Sequence, residues 1–206
     1  FVAVSGMEDV ASEDPAYQCC NFRGSVVALD AANGKQQWKT YMIPEEPSPR
    51  PAENGVPRFA PAGGSIYSPF AFNARKHVLY AATAEAYAEQ GVPYANSIVA
   101  LDMRHGRILW GKELRPRDFD ETCKTAITPQ CKGHIQLLEL ASGVAMTRSS
   151  KGRSLLLAGQ KSGVFYALDP NRSGEVVWES RLSPGADLGG MMYGQVNDGK
   201  LAYVPI

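Results

Sequence analysis

Two cysteines, Cys19 and Cys20, are adjacent in the sequence and could form an unusual disulfide bond. A disulfide between neighbouring residues closes a small strained ring and distorts the peptide bond between them. Strain of that kind is retained mainly where a protein functions. The other interpretation is a pair of free thiols buried where a strand begins. The spacing alone leaves both interpretations open.

The other two cysteines, Cys123 and Cys131, lie eight residues apart in one polar segment. A disulfide between them would close a loop of about ten residues and stabilise the fold by about 2 to 3 kcal/mol. None of the cysteines has the spacing of a structural zinc site. Four cysteines in a chain rich in turns favour an oxidising compartment, so we expect a periplasmic or secreted protein.

Several common catalytic motifs are missing from the sequence. It has no Walker loop and no Gly-x-Gly-x-x-Gly segment leading into a helix. It also lacks a Gly-x-Ser-x-Gly nucleophile elbow and a Cys-x-x-Cys-His haem motif. The histidines His77, His105 and His134 are scattered over predicted turns and a loop, without metal-ligand spacing. We therefore expect all three at the surface.

Charge and hydropathy exclude two classes of partner. The 206 residues include 21 basic and 21 acidic side chains, so the formal charge is zero. This balance argues against a nucleic-acid-binding domain. No run approaches the roughly 18 to 20 apolar residues that cross a bilayer, so we expect no membrane span in this segment. The chain begins at Phe1 and ends within a predicted strand, and we expect it to be part of a longer polypeptide.

A repeated motif organises the chain and must position these residues. Its units read Ala-Leu-Asp, then a glycine, then a tryptophan eight or nine residues after the aspartate. The chain has three tryptophans, and all three occupy this one position. The aspartates are Asp30, Asp102 and Asp169, the glycines Gly34, Gly106 and Gly174, and the tryptophans Trp38, Trp110 and Trp178.

Each unit predicts a β-hairpin. The aspartate side chain can bond local amides and fix the turn, and the glycine supplies a positive φ. The tryptophan brings a large apolar area that fastens one repeat to the next. Other strand-like runs precede the second and third hairpins, at 64–72 and 78–83 and at 143–147 and 155–159.

Four strands per repeat predict an all-β fold, a β-propeller of four-stranded antiparallel blades. We treat residues 1–206 as one partial propeller domain of about three to four blades. The blades span about 1–42, 62–114, 143–182 and 189–206, and the first lacks its inner strand while the last is half complete. Long loops are expected at 42–63 and 115–136, where function concentrates in such folds. The alternative is a sandwich of similar hairpins.

Three segments carry a family resemblance: residues 19–30, 158–170 and, more weakly, 189–194. They resemble the pyrroloquinoline quinone (PQQ) dehydrogenases, particularly the polyvinyl-alcohol dehydrogenase-like branch. The resemblance implies an eight-bladed propeller that holds PQQ and calcium (Ca²⁺) near its axis. In that family the quinone lies between a vicinal disulfide and an aromatic ring, and electrons pass to a cytochrome.

Four positions keep the family pattern. Cys19 and Cys20 match the disulfide over the cofactor. Arg23 matches the cation that binds a cofactor acid group, which suits a guanidinium. Lys161 matches the cation beside the reactive quinone oxygens, where positive charge stabilises the reduced form.

Three positions depart from the pattern. Tyr67 stands where the family has a tryptophan that stacks under the quinone. Glu85 stands where an aspartate or asparagine binds the metal, and a longer carboxylate remains a suitable oxygen donor. Glu139 stands where the catalytic aspartate lies, and a displacement of about 1 Å can cost about 100-fold in rate.

The resemblance implies a quinoprotein dehydrogenase that oxidises polyvinyl alcohol, a secondary alcohol or a diol and reduces a cytochrome c. Glu139 and Lys161 are the expected catalytic residues. Cys19, Cys20, Arg23, Tyr67 and Lys161 are expected to hold PQQ, and Glu85 the metal. The alternative is a propeller without cofactor that serves as a protein-binding or assembly scaffold. The retained positions favour the enzyme, and the departures favour the scaffold.

Overall fold

A computed structural model describes residues 1–11, 14–87, 91–120, 122, 131, 137–186 and 189–206, apart from the side chain of residue 9. In chain order the elements are β1 (Val2–Val4), α1 (Glu8–Ala11), β2 (Ser25–Leu29), β3 (Gln36–Tyr41), β4 (Ser48–Glu53), β5 (Val56–Ala60), β6 (Ala71–Asn73), β7 (Val78–Ala82), β8 (Ser97–Asp102), β9 (Ile108–Glu113), β10 (Val144–Arg148), β11 (Ser154–Gly159), β12 (Val164–Asp169), a 3₁₀ turn (Pro170–Arg172), β13 (Glu175–Arg181), β14 (Val196–Asn197) and β15 (Ala202–Tyr203).

The strands form consecutive antiparallel sheets, which we call blades. The first blade is β1-β2-β3, the second β6-β7-β8-β9, the third β10-β11-β12-β13 and the fourth β14-β15. Neighbours in each sheet are neighbours in sequence. The predicted all-β architecture is therefore confirmed, with a first blade of three strands, two blades of four and a last blade of two in the described part of the chain.

The repeated aspartates fix their turns as the sequence predicts. Asp30, Asp102 and Asp169 each accept a hydrogen bond at Oδ1 from the amide two residues later, at 2.8, 3.0 and 2.8 Å. Burial raises the pKa of Asp169, but the Asn171 amide and the Arg153 guanidinium outweigh it and hold the pKa below its usual range. The turn therefore carries an ionised carboxylate at neutral pH.

Tryptophan rings fasten the first blade to the second and the second to the third. A Cβ atom added to Gly106 would lie 2.6 Å from the ring of Trp38, and one added to Gly174 would lie 2.7 Å from the ring of Trp110. Trp38 Nε1 also donates to the Met103 carbonyl oxygen at 3.2 Å. Both glycines have a positive φ, 73° and 74°. Only glycine leaves the room that the ring fills.

The core consists of apolar layers between consecutive blades. Side chains alternate along β7, so Leu79 faces the first blade while Tyr80 faces the third. The same alternation on β8 separates Val99 from Ile98. The central strands are thus buried on both faces, which explains their nearly continuous apolar sequence.

The prediction of an irregular loop at 42–63 was wrong, because this segment contains a β-hairpin. Strands β4 and β5 pair across Asn54 and Gly55, whose φ values are 51° and 81°. Asn-Gly is a strong hairpin signal. Prolines and charged residues in both strands hid the alternation that would have marked them. Most of the other predicted loop, 115–136, lies outside the described residues.

One further predicted strand is shorter than expected. Of the run at 64–72, only residues from Ala71 onward form strand β6. Residues 191–194 lie before β14 and form no strand. In the described ranges, no helix is long and apolar enough to cross a membrane.

Trp110→Ala should destabilise the intact protein by about 3 kcal/mol, because the ring fills the space beside Gly174 that no other group would occupy. Leu109→Ala on the same strand is the control, since Leu109 is 48% exposed, and should cost less than about 1 kcal/mol. Urea denaturation monitored by circular dichroism measures both. Equal losses in the two variants would contradict the docking role.

Candidate functional site

A cavity of about 870 Å³ opens where successive blades converge. The segments that precede the first strand of three blades line it, at 67–69, 141–142 and 192–194. Glu85 and Lys161, which follow the second strand of two blades, line it as well. Its volume lies within the roughly 300 to 1,000 Å³ of small-molecule sites. Repetition of the blade therefore builds this cavity.

Four of the predicted site residues meet in the cavity: Tyr67, Glu85, Glu139 and Lys161. They are far apart in sequence, and the blade repeat brings them together. Among the described residues that line the cavity, three carry a charge, and these are the two glutamates and the lysine.

Lys161 and Glu139 form an ion pair between Nζ and Oε2. Their side chains are 12% and 10% exposed. The Lys161 amide also donates to the Glu139 carbonyl oxygen at 3.0 Å, so the two residues are joined through both their backbones and their side chains. Charges removed from water interact more strongly than at the surface, provided that they remain paired.

Serine side chains fix the walls beside this pair. Ser142 Oγ accepts from the Gly159 amide at 2.9 Å and donates to the Gly159 carbonyl oxygen at 3.0 Å. Ser68 Oγ donates to the Ala141 carbonyl oxygen. These bonds tie the wall that carries Tyr67 to the segment that carries Glu139. The Tyr67 side of the cavity remains accessible, since that residue is 43% exposed.

Two carboxylates, those of Glu85 and Glu139, offer oxygen ligands to a cation in the cavity. Ca²⁺ takes about six to eight oxygens. In the described residues no group of three or more His, Cys, Asp or Glu side chains could hold a metal ion. The protein side chains present there do not complete a calcium site.

The adjacent cysteines lie outside the cavity lining. Cys19 and Cys20 are buried, their Sγ atoms are in contact and the peptide bond between them is cis. They pack against Ala62, Tyr17 and Tyr87. The chain at 62–64 pairs with residues 22–24 on one side and with 85–87 on the other. The chain at 62–64 therefore lies between residues 22–24, which follow the cysteines, and the segment that carries Glu85.

Arg23 is engaged inside the protein. Its Nη1 donates to the carbonyl oxygens of residues 43–45 at 3.3, 3.0 and 3.2 Å, and its guanidinium lies 3.9 Å from the centre of the Tyr41 ring. Nη2 lies 3.5 Å from the Glu46 carboxylate. The described lining of the cavity does not include Arg23. Its contact with a cofactor acid group stays a prediction.

Nothing in the sequence pattern indicates the N-terminal segment that lines one side of the cavity. Glu8 in the four-residue helix α1 accepts amide hydrogen bonds from Asn21 at 2.8 Å and Phe22 at 2.6 Å, and a hydroxyl bond from Tyr17 at 3.0 Å. The Glu8 carboxylate raises the pKa of Tyr17. This carboxylate fastens the N-terminal segment to the turn that follows the cysteines.

That segment brings two apolar side chains, Met7 and Val10, to the cavity. Tyr193 lies on another part of the rim and is 75% exposed. Short helices and rim side chains leave no periodic signal, and these contacts depend on long-range packing.

The predicted disulfide between Cys123 and Cys131 stays a prediction, because Cys123 lies outside the described residues. Cys131 is buried.

Two family models match the chain. Residues 7–120 match the β-propeller domain of glucose, ethanol and alcohol dehydrogenases. Residues 94–204 match the model of the outer membrane protein assembly factor BamB. The two matches overlap in the second blade and together cover nearly the whole sequence.

The chain is similar to curated alcohol dehydrogenases. It is 34% identical to a polyvinylalcohol dehydrogenase of Pseudomonas sp. over 100% of the chain, and 34% identical to one of Sphingopyxis sp. (strain 113P3) over 98%. It is 25% identical to quinohemoprotein alcohol dehydrogenase ADH-IIG of Pseudomonas putida over 79% of the chain, or 23% of that relative. The chain spans about a third, 32%, of the two polyvinylalcohol dehydrogenases.

Solved structures share the fold. The quinohemoprotein alcohol dehydrogenase of Comamonas testosteroni aligns with a TM-score of 0.52 at 19% identity, over 82% of this chain and 27% of that one. ADHIIG of Pseudomonas putida HK5 aligns with a TM-score of 0.53 at 19% identity, over 80% and 25%. With the blades described above, this establishes a partial β-propeller.

Loss of either partner of the ion pair should destabilise the protein by about 3 kcal/mol, because the remaining charge stays largely buried without its partner. The double variant Glu139→Leu with Lys161→Met should recover most of that loss. A double-mutant cycle by urea denaturation measures the coupling. Strictly additive losses would mean that the two charges do not interact.

Proposed function

The chain belongs to the glucose/ethanol/alcohol dehydrogenase β-propeller family, and from this premise we propose that it forms part of a quinoprotein dehydrogenase that oxidises an alcohol with PQQ. One observation carries the proposal. The ion pair of Lys161 and Glu139 lies in the wall of a cavity that also presents Tyr67 and Glu85.

The residues of the cavity fit a planar, acidic quinone. PQQ carries carboxylates and electron-accepting oxygens, and Lys161 offers an ammonium group that interacts favourably with both. Tyr67 is 43% exposed, so part of its ring is accessible to a planar group. The cavity volume of about 870 Å³ accommodates such a ligand together with a substrate.

The chemistry of the pair follows from its charges. An alcohol becomes a carbonyl compound by losing its hydroxyl proton and a carbon-bound hydrogen with two electrons. PQQ, when bound, supplies the oxidant for that electron pair. Glu139 accepts the hydroxyl proton as general base. Lys161 holds Glu139 in place and presents positive charge to oxygens that gain electron density.

The proposed substrate is polyvinyl alcohol, a secondary alcohol or a diol. Two relatives at 34% identity are named polyvinylalcohol dehydrogenases. The cavity supports such a substrate because its rim carries apolar side chains beside the acid–base pair. Met7, Val10 and Tyr193 on that rim are 72%, 50% and 75% exposed. Exposed apolar groups around a polar centre suit a carbon chain that carries hydroxyl groups.

Further elements belong to this proposal. Electrons would pass to a cytochrome c, and the name quinohemoprotein among the relatives supports a haem partner. Ca²⁺ would bind at Glu85 with oxygens beyond the described side chains, and no step is assigned to it. Contact between the two Sγ atoms supports a vicinal disulfide at Cys19 and Cys20 and an oxidising location, periplasmic or secreted.

A scaffold without cofactor is the second candidate. The match of residues 94–204 to the BamB model favours it, because that model describes an assembly factor. The placement of Arg23 and the cysteines outside the cavity lining also favours it. Binding of the quinone separates the two candidates.

PQQ should bind the full-length polypeptide saturably, and Lys161→Met should weaken binding at least about tenfold through loss of a charge-assisted contact. Absorbance and tryptophan quenching, with and without Ca²⁺, measure the affinity. Lys200→Met is the control, because Lys200 is exposed and outside the cavity lining. No binding by folded protein at high micromolar quinone would support the scaffold instead.

Glu139→Gln should lower kcat by about 100- to 10,000-fold, since the amide cannot accept the hydroxyl proton. Quinone affinity should change little. Steady-state assays with polyvinyl alcohol, a secondary alcohol and a diol, using an artificial electron acceptor, measure the rate. Glu113→Gln at an exposed strand position is the control. A variant at Glu139 that retains full kcat would remove this residue from the role of base.

A further inference from the structure

Gln160, in the turn between β11 and β12, is completely buried, and its whole amide is hydrogen bonded. Nε2 donates to the carbonyl oxygens of Leu114 at 2.9 Å and Leu138 at 2.7 Å. Oε1 accepts from the hydroxyls of Ser162 at 2.7 Å and Tyr166 at 3.2 Å. Two donors and two acceptor positions are all that a glutamine amide has.

Two of these four bonds, those from Nε2, reach backbone carbonyl oxygens, and the other two come from side-chain hydroxyls. Leu138 immediately precedes Glu139, and Gln160 itself immediately precedes Lys161. Leu114 directly follows β9, so the amide also anchors both segments to the second blade. Residues 137–140 belong to no strand or helix, so Glu139 is held by individual contacts, which also include the Lys161 amide bond to its carbonyl oxygen and the buried side chains of Leu138 and Leu140.

We infer that Gln160 is a positioning residue, which fixes Lys161 and Glu139 in the mutual orientation that their ion pair requires. The inference rests on the proposed function of that pair as acid–base and electrostatic groups. A lysine has a flexible four-carbon stem, so the direction of its ammonium depends on where its backbone is held. Proton transfer tolerates only small displacements of such groups.

The surroundings of Gln160 admit an amide and reject its usual substitutes. A glutamate would place an acceptor oxygen against two carbonyl oxygens. A leucine would leave both carbonyls without a donor in a dry site. Burial raises the pKa of the Tyr166 hydroxyl. The hydroxyl therefore stays protonated and donates a hydrogen bond to Oε1 of Gln160.

The direct test measures how accessible the Lys161 amine is, without cofactor or turnover. The full-length protein is treated with trinitrobenzenesulfonate, and the labelling rate of each lysine is followed by mass spectrometry. In Gln160→Leu, Lys161 should label at least about tenfold faster relative to exposed Lys200, because two hydrogen bonds that hold the pair are lost. Ser162→Ala removes one bond and should raise the ratio about threefold.

Gln195→Leu is the matched control. Gln195 is also a buried glutamine whose Nε2 donates to two carbonyl oxygens, those of Leu157 at 3.0 Å and Gly143 at 3.4 Å, and it does not line the cavity. Its loss should lower the thermal midpoint without changing the Lys161 ratio. If the Lys161 labelling ratio rises equally in this control, the effect of Gln160→Leu is a general loss of stability, and the inference is overturned.

These experiments distinguish failure of the positioning role from failure of the proposed function. An unchanged Lys161 ratio in folded Gln160→Leu overturns the inference, and if that variant does not fold, an unchanged ratio in Ser162→Ala does so. PQQ titration of the same proteins addresses the proposed function alone. A wild-type protein that fails to bind PQQ while Gln160→Leu exposes Lys161 would reject the quinone site and retain the positioning role.

Discussion

Docking of a tryptophan ring on the glycine turn of the following blade is the contact on which the rest of this structure depends. Trp38 and Trp110 fill spaces beside Gly106 and Gly174 that a side chain would occupy at any other residue. Because the contact occurs at the same position in two successive repeats, it sets the same relation between the first and second blades and between the second and third. The ends of their first two strands then converge, and the cavity is the space between those ends.

The sequence predicted this framework because its signals are local and repeated. Three tryptophans at one position of a repeat, each preceded by an aspartate turn, leave few other architectures. The hairpin at Asn54 and Gly55 was missed although its turn signal is strong, because prolines disguised the flanking strands. Tyr67, Glu85, Glu139 and Lys161 could be identified from family patterns, and the structure brings them together.

Residues whose role arises from packing could not be predicted in the same way. Gln160 was visible only as part of a motif, and nothing local indicates that its amide would join three separate segments. Glu8 lies in a short helix without periodicity, and the amides that bind it, those of Asn21 and Phe22, are 13 and 14 residues away in sequence. Arg23 could be identified from its motif, but its contacts with backbone carbonyls and the Tyr41 ring could not.

We propose that the cavity beside the Lys161–Glu139 pair is the quinone site. The decisive experiment is a structure of the full-length protein equilibrated with PQQ. We expect density for the planar quinone in this cavity, in contact with Lys161 Nζ and beside the ring of Tyr67. Quinone density elsewhere, or none at saturating concentration with the ion pair intact, would contradict it.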